Sequence, residues 1–183
     1  MANILILNSA ARKNGNTANL IHSFTEGAKE NDNEVREIYL ADKNIHTCLG
    51  CTACTKNGGN CVQKDDMSLV YDGMEWADVI VFASPIYFNS ITGLLKMVND
   101  RMFSYWNKHF LSGSETPKKK TALILSSAAQ APTQALGWYS FFKQYGNWEN
   151  LGIINGAGNS LGIGKADDKV GVAQARELGS SIR

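Results

Sequence analysis

Short apolar runs alternate along the chain with segments of helical apolar spacing, and this alternation constrains the fold more than any other feature. Five runs have the length and composition of buried strands: residues 3–8, 34–40, 78–83, 121–126 and 149–155. Five segments have helical spacing: residues 17–30, 65 or 66 to 76, 91–106, 132–145 and 169–182. This succession predicts a parallel sheet that helices cover on both faces. Ligands of such folds bind at the carboxyl ends of the strands, near the point where strand order reverses.

Composition favours a single globular domain. The chain has 183 residues, of which 44% are hydrophobic and 19% charged, and this argues against a disordered chain. We therefore expect one domain over residues 1–183, with an insertion at about residues 44–64. The net charge of +1 gives no support for a nucleic-acid partner or a charged membrane contact. Since no leader or membrane-length apolar run is visible, we expect a cytoplasmic protein without a membrane partner.

The loop after the first strand, residues 9–17, has the composition of a phosphate site. Backbone N–H groups at the start of the following helix, together with the helix dipole, favour an anion. The loop has neither a dinucleotide fingerprint nor a Walker motif. It predicts a site for a phosphomonoester such as the tail of FMN, or else a simple helix cap. The candidate phosphate ligands are Ser9, Arg12, Asn14, Asn16 and Thr17.

The loop after the third strand begins with proline and carries two aromatic residues. Residues 85–90 read Pro-Ile-Tyr-Phe-Asn-Ser. Backbone groups of such a loop can face a flat polar heterocycle, with the aromatic rings as a wall. The alternative is an ordinary strand-to-helix turn with aromatic residues in the core. The candidate ring-binding residues are Pro85, Ile86, Tyr87, Phe88 and Asn89.

Together the two loops resemble those of the flavodoxin-like NADPH-dependent FMN reductase family. In that family a Ser-x-Arg-type loop follows the first strand and a Pro-x-Tyr loop the third, whose helix carries Leu-Lys and Asp-Arg, here at 95–96 and 100–101. The resemblance covers residues 1 to about 101. It implies a doubly wound, three-layer α/β/α fold with strand order 2-1-3-4-5. It also implies bound FMN, with Ser126 and Ser127 beside the ring or ribityl chain, and a homodimer or homotetramer.

The same resemblance implies an oxidoreductase in which the flavin carries the chemistry and no catalytic side chain is required. NAD(P)H is the expected electron donor, and a small molecule such as a quinone, flavin or nitro compound is the expected acceptor.

A compact group of cysteines lies between the second strand and the second helix. Its spacing is C-x2-C-x2-C-x6-C, and the residues are Cys48, Cys51, Cys54 and Cys61. Three thiolates so spaced can meet three corners of a cubane, and the fourth closes it. The loop, with the Lys-Asp-Asp segment at 64–66 after it, is similar to that of the iron-sulfur flavoproteins. That similarity implies a [4Fe–4S] cluster and a ferredoxin-like protein as electron donor.

Three other interpretations of these cysteines stay open: structural zinc, a redox-active disulfide, or a reduced loop that holds nothing. The presence or absence of a cluster and of a flavin distinguishes three functions. A chain without a cluster is an NAD(P)H-dependent flavin enzyme, a chain with one is an electron carrier, and a chain without flavin is a redox or metal sensor. The glycine-rich segment 156–164 and the aromatic residues of the outer helices are further candidates for the flavin border or a subunit contact.

Overall fold

The structure is a computed structural model that describes residues 1–127, 132–157 and 168–183. The described residues form a five-stranded parallel sheet of order β2-β1-β3-β4-β5. The strands are β1 (Asn3–Asn8), β2 (Glu34–Tyr39), β3 (Val79–Pro85), β4 (Lys120–Ser127) and β5 (Glu149–Ala157). The α-helices are α1 (Asn16–Lys29), α2 (Met67–Trp76), α3 (Gly93–Leu111), α4 (Thr133–Gly146) and α5 (Lys169–Ser180). The predicted fold and strand order are confirmed.

Side chains of successive strand residues enter two separate cores. In β1, Leu5 and Leu7 face α2, α3 and α4, whereas Ile4 and Ile6 face α1 and α5. This alternation follows from the two-residue period of a strand. Because both faces of the sheet are covered, β3 is apolar from Val79 to Ala83 and buried throughout that stretch. Each of the four larger side chains, those of residues 79–82, contributes about 1.5–3 kcal/mol when fully buried.

Helices α1 and α5 touch at two glycines. A Cβ on Gly27 would lie 2.1 Å from the backbone oxygen of Arg176, and one on Gly179 would lie 2.1 Å from that of Phe24. The two backbones therefore pack at a distance that admits no larger residue at either position.

Most predicted element boundaries differ from the structure by a few residues. Helix α3 extends to Leu111 and not to residue 106, since Lys108 and His109 in its last turn favour the helix C-terminus. Asp66 occupies the N-cap position of α2, but its side chain accepts a hydrogen bond from Asn44 N (2.7 Å) and does not cap the helix. Strand β2 ends one residue earlier than predicted, where the chain enters a 3-10 turn at Leu40–Asp42.

Most of the aromatic residues considered for a subunit contact belong to the core. Trp106, Tyr139, Phe142 and Trp148 are buried, whereas Phe141 is 69% exposed. The glycine-rich segment lies largely outside the described residues. No described helix combines the length and apolarity that a membrane span requires.

Candidate functional site

The loops that follow β1 and β3 lie side by side at the carboxyl edge of the sheet, where the strand order reverses. Ser9 makes the junction, because its backbone N–H and its hydroxyl both donate to the carbonyl oxygen of Ala83, each at 2.9 Å. Thr92 Oγ1 donates to the Ser9 carbonyl at 3.4 Å. Ser9 is fully buried, so its hydroxyl holds the two loops together in this structure and has no second proton to donate.

The start of α1 has the features of an anion site. Gly15 is its N-cap residue, and no described side chain caps the helix. Asn16 Oδ1 is buried and has no hydrogen-bond partner among the described residues. Arg12 and Asn14 are exposed on the same loop. The start of α1 therefore has N–H groups that no described side chain caps, and beside them a buried amide oxygen without a partner among the described residues.

Ser126, near the end of β4, joins this loop to the loop that follows β3. Its hydroxyl lies 2.7 Å from Thr17 Oγ1, and its carbonyl accepts a 2.9 Å hydrogen bond from Ile86 N. Ser127, the next residue, ends β4 and is also buried. The structure thus brings the predicted phosphate loop, the predicted ring loop and the end of β4 into one contact network.

The third loop is a tight reverse turn. Tyr87 and Ser90 exchange backbone hydrogen bonds of 3.0 and 3.1 Å, and between them Phe88 (φ +48°) and Asn89 (φ +66°) both have positive φ. Two consecutive residues of this kind make a type I′ turn, which costs about 1–3 kcal/mol for each non-glycine residue. The turn is held in place because Asn89 Nδ2 donates to Thr133 Oγ1 at 2.9 Å.

The side chains of this turn are not core residues. Tyr87 is 53% exposed and Phe88 is fully exposed, while Pro85 and Ile86 are half-buried beneath them. The alternative of a turn with buried aromatic residues is therefore wrong for both. Backbone strain and exposed rings at one position are typical of a binding site.

The four cysteines line a single pocket of about 90 Å³ over α3. All four are free thiols; Cys48 and Cys51 are exposed, and Cys54 and Cys61 are half-buried. The pocket lining is mainly apolar, with Leu49, Val62 and Phe103 at its rim. Within the described part of the chain, no three His, Cys, Asp or Glu side chains are arranged to hold one metal ion.

The cysteine loop is fastened to α3. Ser104 Oγ donates to Gly59 O at 2.5 Å, and Asn107 Nδ2 lies 3.8 Å from Cys54 Sγ. Gly59 has a φ of +84°, and a Cβ there would lie 2.2 Å from the backbone N and Cα of Lys108. Only glycine therefore allows the loop to lie this close to the helix.

The two half-buried thiols differ in acidity. Burial raises the pKa of Cys54, and the neighbouring cysteines add to the rise. Burial also acts to raise the pKa of Cys61, but hydrogen bonds from the backbone N–H of Gln63 and from Arg101 outweigh it, so the pKa lies below its usual value.

Arg101 is a site residue that was not among the residues predicted from the sequence. Its side chain is 1% exposed and forms an ion pair with Asp65, whose side chain is also 1% exposed. Burial acts to raise the pKa of Asp65, yet hydrogen bonds from Arg101 and from the backbone N–H groups of His46 and Met67 hold it well below its usual range. The Asp-Arg sequence at 100–101 was noted as part of the family resemblance. The ion-pair partner of Arg101, however, lies 36 residues earlier in the chain.

Curated relatives cover nearly the whole chain. An iron-sulfur flavoprotein of Archaeoglobus fulgidus is 28% identical over 175 residues, which are 93% of this chain and 74% of the relative. An iron-sulfur flavoprotein of Methanocaldococcus jannaschii is 27% identical over 98% of this chain and 94% of its own length.

Solved structures agree on the fold. An NAD(P)H:quinone oxidoreductase from Methanothermobacter marburgensis has a TM-score of 0.73 at 15% identity, with 98% of this chain and 95% of that one covered. An FMN-dependent NADH-azoreductase from Bacillus anthracis has a TM-score of 0.72 at 15% identity, with 99% of each chain covered. Residues 2–137 match the family model described as NADPH-dependent FMN reductase. The chain therefore belongs to the NADPH-dependent FMN reductase family, a family of flavin-dependent oxidoreductases.

Proposed function

We propose that the chain binds FMN at the carboxyl ends of β1, β3 and β4 and passes electrons from NAD(P)H to a small acceptor such as a quinone, flavin or nitro compound. One observation carries the proposal: Ser126 contacts both Thr17 of the first loop and Ile86 of the third. The predicted phosphate loop and the predicted ring loop are thus adjacent, as the binding of one mononucleotide requires.

The residues at the start of α1 suit the phosphate of FMN. The helix dipole and the uncapped N–H groups attract a dianion, and exposed Arg12 can add a positive charge. The buried Asn16 amide fits as well, because rotation of its end group by half a turn places an N–H₂ donor where Oδ1 has no partner. Asn14 lies on the same exposed stretch of the loop.

The turn at residues 87–90 suits the isoalloxazine ring. Bound FMN supplies hydride and single-electron chemistry, and the protein supplies position and electrostatics. The backbone N–H of Tyr87 already donates a hydrogen bond to Ser90 O. The backbone N–H groups of Phe88 and Asn89 then remain to face negative charge on the ligand. The exposed rings of Tyr87 and Phe88 can shield one side of a flat ligand from water.

A second candidate function is that of an electron carrier with a [4Fe–4S] cluster held by Cys48, Cys51, Cys54 and Cys61. Two observations favour it: the four free thiols line one pocket, and the relatives covering over 90% of the chain are named iron-sulfur flavoproteins. Four irons space their ligands more widely than one ion does, because each cysteine binds a different iron. Such a cluster exchanges single electrons, and a ferredoxin-like protein would then be the donor.

The phosphate site is tested by the matched variants Asn16→Asp and Asn19→Asp. Both add one negative charge to the first turns of α1, where an acidic residue favours the helix, so loss of the helix cannot explain a loss of binding. We expect Asn16→Asp to raise the Kd for FMN at least about tenfold, which corresponds to about 1.4 kcal/mol, and the exposed Asn19→Asp to change it less than about twofold. Equal effects of the two substitutions would place the phosphate elsewhere.

The electron donor is tested on the same anaerobic preparation. Flavin reduction by NADPH or NADH, followed by turnover with a quinone, supports the first function. Reduction by a reduced ferredoxin but by neither nicotinamide supports the second, and iron with acid-labile sulfide must then be present.

A further inference from the structure

Two charged residues from separate parts of the sequence meet beneath the cysteine loop. Asp65 precedes α2 and Arg101 lies in the middle of α3, and their side chains form an ion pair that is 1% exposed on each side. Burying two charges costs desolvation free energy that their attraction barely returns. Such a pair is therefore better explained by what it holds in place than by a gain in stability.

Arg101 binds both ends of the cysteine loop. Its Nη1 donates to the carbonyl oxygen of His46 at 3.2 Å, two residues before the first cysteine, and its Nη2 donates to Cys61 Sγ at 3.4 Å, the last cysteine. A planar guanidinium can do this because its donors form a rigid fork.

Asp65 fixes the position of the guanidinium. Its carboxylate accepts hydrogen bonds from His46 N at 2.9 Å and from Met67 N at 3.2 Å in addition to the bond from Arg101. The carboxylate is thus tied to the loop on one side and to the start of α2 on the other. It leaves Nη2 of the arginine directed at the sulfur.

The backbone and amide donors to the cysteine sulfurs, the backbone N–H of Gln63 at Cys61 among them, are neutral. Gly50 N lies 3.5 Å from Cys48 Sγ, and Asn107 Nδ2 lies 3.8 Å from Cys54 Sγ. Arg101 is the cation among these donors. Hydrogen bonds and positive charge beside cluster sulfurs favour the reduced, more negative form and raise the reduction potential.

We propose that Arg101, held by Asp65, is the positioning residue of the cysteine pocket: it sets the place of Cys61 and raises the reduction potential of a cluster bound there. The inference rests on the second candidate function above. It concerns the ion pair beneath the cysteine loop and does not involve the residues proposed to bind flavin.

The test compares a double variant that removes the buried ion pair with a double variant that removes an exposed ion pair. Asp65→Asn with Arg101→Met removes both buried charges, so neither is left unpaired. Glu30→Gln with Arg176→Met removes an exposed Glu–Arg pair between α1 and α5. Iron, sulfide and FMN per chain are measured after anaerobic reconstitution, and the cluster potential is measured by an electron paramagnetic resonance titration.

In the buried double variant we expect either loss of iron with FMN retained, or a shift of at least tenfold in the ratio of oxidised to reduced cluster at fixed potential. A tenfold shift equals about 59 mV for one electron, toward more negative potential. Arg101→Lys, which keeps the charge, should stay within about threefold of the wild type, and the exposed pair should behave as the wild type.

Three results overturn the inference, and each identifies what failed. Unchanged iron and potential in the buried double variant refute the role of Arg101 alone. Joint loss of iron and FMN with a disrupted circular dichroism spectrum assigns the pair to folding. Absence of iron from the wild type after reconstitution refutes the cluster itself, and the inference with it, while FMN binding remains a separate measurement.

Discussion

Replacing Gly59 by alanine tests whether the cysteine loop packs on α3, because the added Cβ would overlap with that helix. Its Cβ would lie 2.2 Å from the backbone N and Cα of Lys108 on α3, and its φ is +84°. Neither helix backbone atom can move without disturbing α3. A Gly59→Ala chain must therefore lift the loop away from the helix.

The loss of stability in Gly59→Ala has two parts, backbone strain and steric overlap. Alanine substitutions at two other glycines measure the strain alone. An alanine at positive φ costs about 1–2 kcal/mol by itself. Gly50 (φ +62°) shows that part alone, since a Cβ there would meet no described atom within 4 Å. Gly58 (φ +71°) is a second control, with Asn60 Nδ2 3.8 Å from its Cβ. The overlap at Gly59 should add about 1–3 kcal/mol, the usual range for forcing atoms into a packed site.

Urea unfolding of the three alanine variants measures the difference. We expect Gly59→Ala to lose at least about 1 kcal/mol more than Gly50→Ala or Gly58→Ala. Hydrogen exchange should become faster in residues 48–61 for Gly59→Ala only, because the loop is then no longer docked. Equal stability and equal exchange in all three variants would show that the loop does not pack on α3 as described.

Three further expectations concern charge, hydrogen bonding and assembly. Arg101→Met should lower the free energy of unfolding by about 3–5 kcal/mol at neutral pH, because it leaves Asp65 buried and unpaired. Since the pKa of Asp65 in the folded wild type is lowered, its pairing contributes stability that is present above the unfolded pKa of about 3.9 and is lost as the pH falls, so the difference should shrink at acidic pH, as measured by urea unfolding at several pH values. Tyr139→Phe removes the 2.8 Å hydrogen bond to Asn150 Oδ1 and should cost about 1 kcal/mol, against less than about 0.5 kcal/mol for Tyr145→Phe, which is half-exposed. We also expect a dimer or tetramer by light scattering; a monomer at micromolar concentration would contradict it.

The sequence was sufficient for the fold because its signals are local. Strand β3 is apolar over its whole length, and β1 alternates between two cores, so both can be identified without knowledge of their neighbours. The strand order came from the resemblance of two loops. Those loops also predicted a site at the carboxyl ends of the strands, and Ser126 lies there between them.

The features that the sequence missed depend on contacts between distant residues. The pairing of Asp65 with Arg101 requires α2 and α3 to be packed, and no pattern in either segment indicates it. The positive φ values of Phe88 and Asn89 were not predicted, because neither residue is a glycine; the turn is closed by the hydrogen bonds between Tyr87 and Ser90, and Asn89 is held by Thr133. The hydroxyl of Ser9 was expected at the phosphate, yet it donates to Ala83 O.

The most direct test of the central claim is the visible spectrum of the anaerobically purified chain, together with identification of any released flavin. The account predicts FMN bound at close to one molecule per chain, and its loss in Asn16→Asp but not in Asn19→Asp. A chain that carries no flavin and does not bind added FMN would contradict the account.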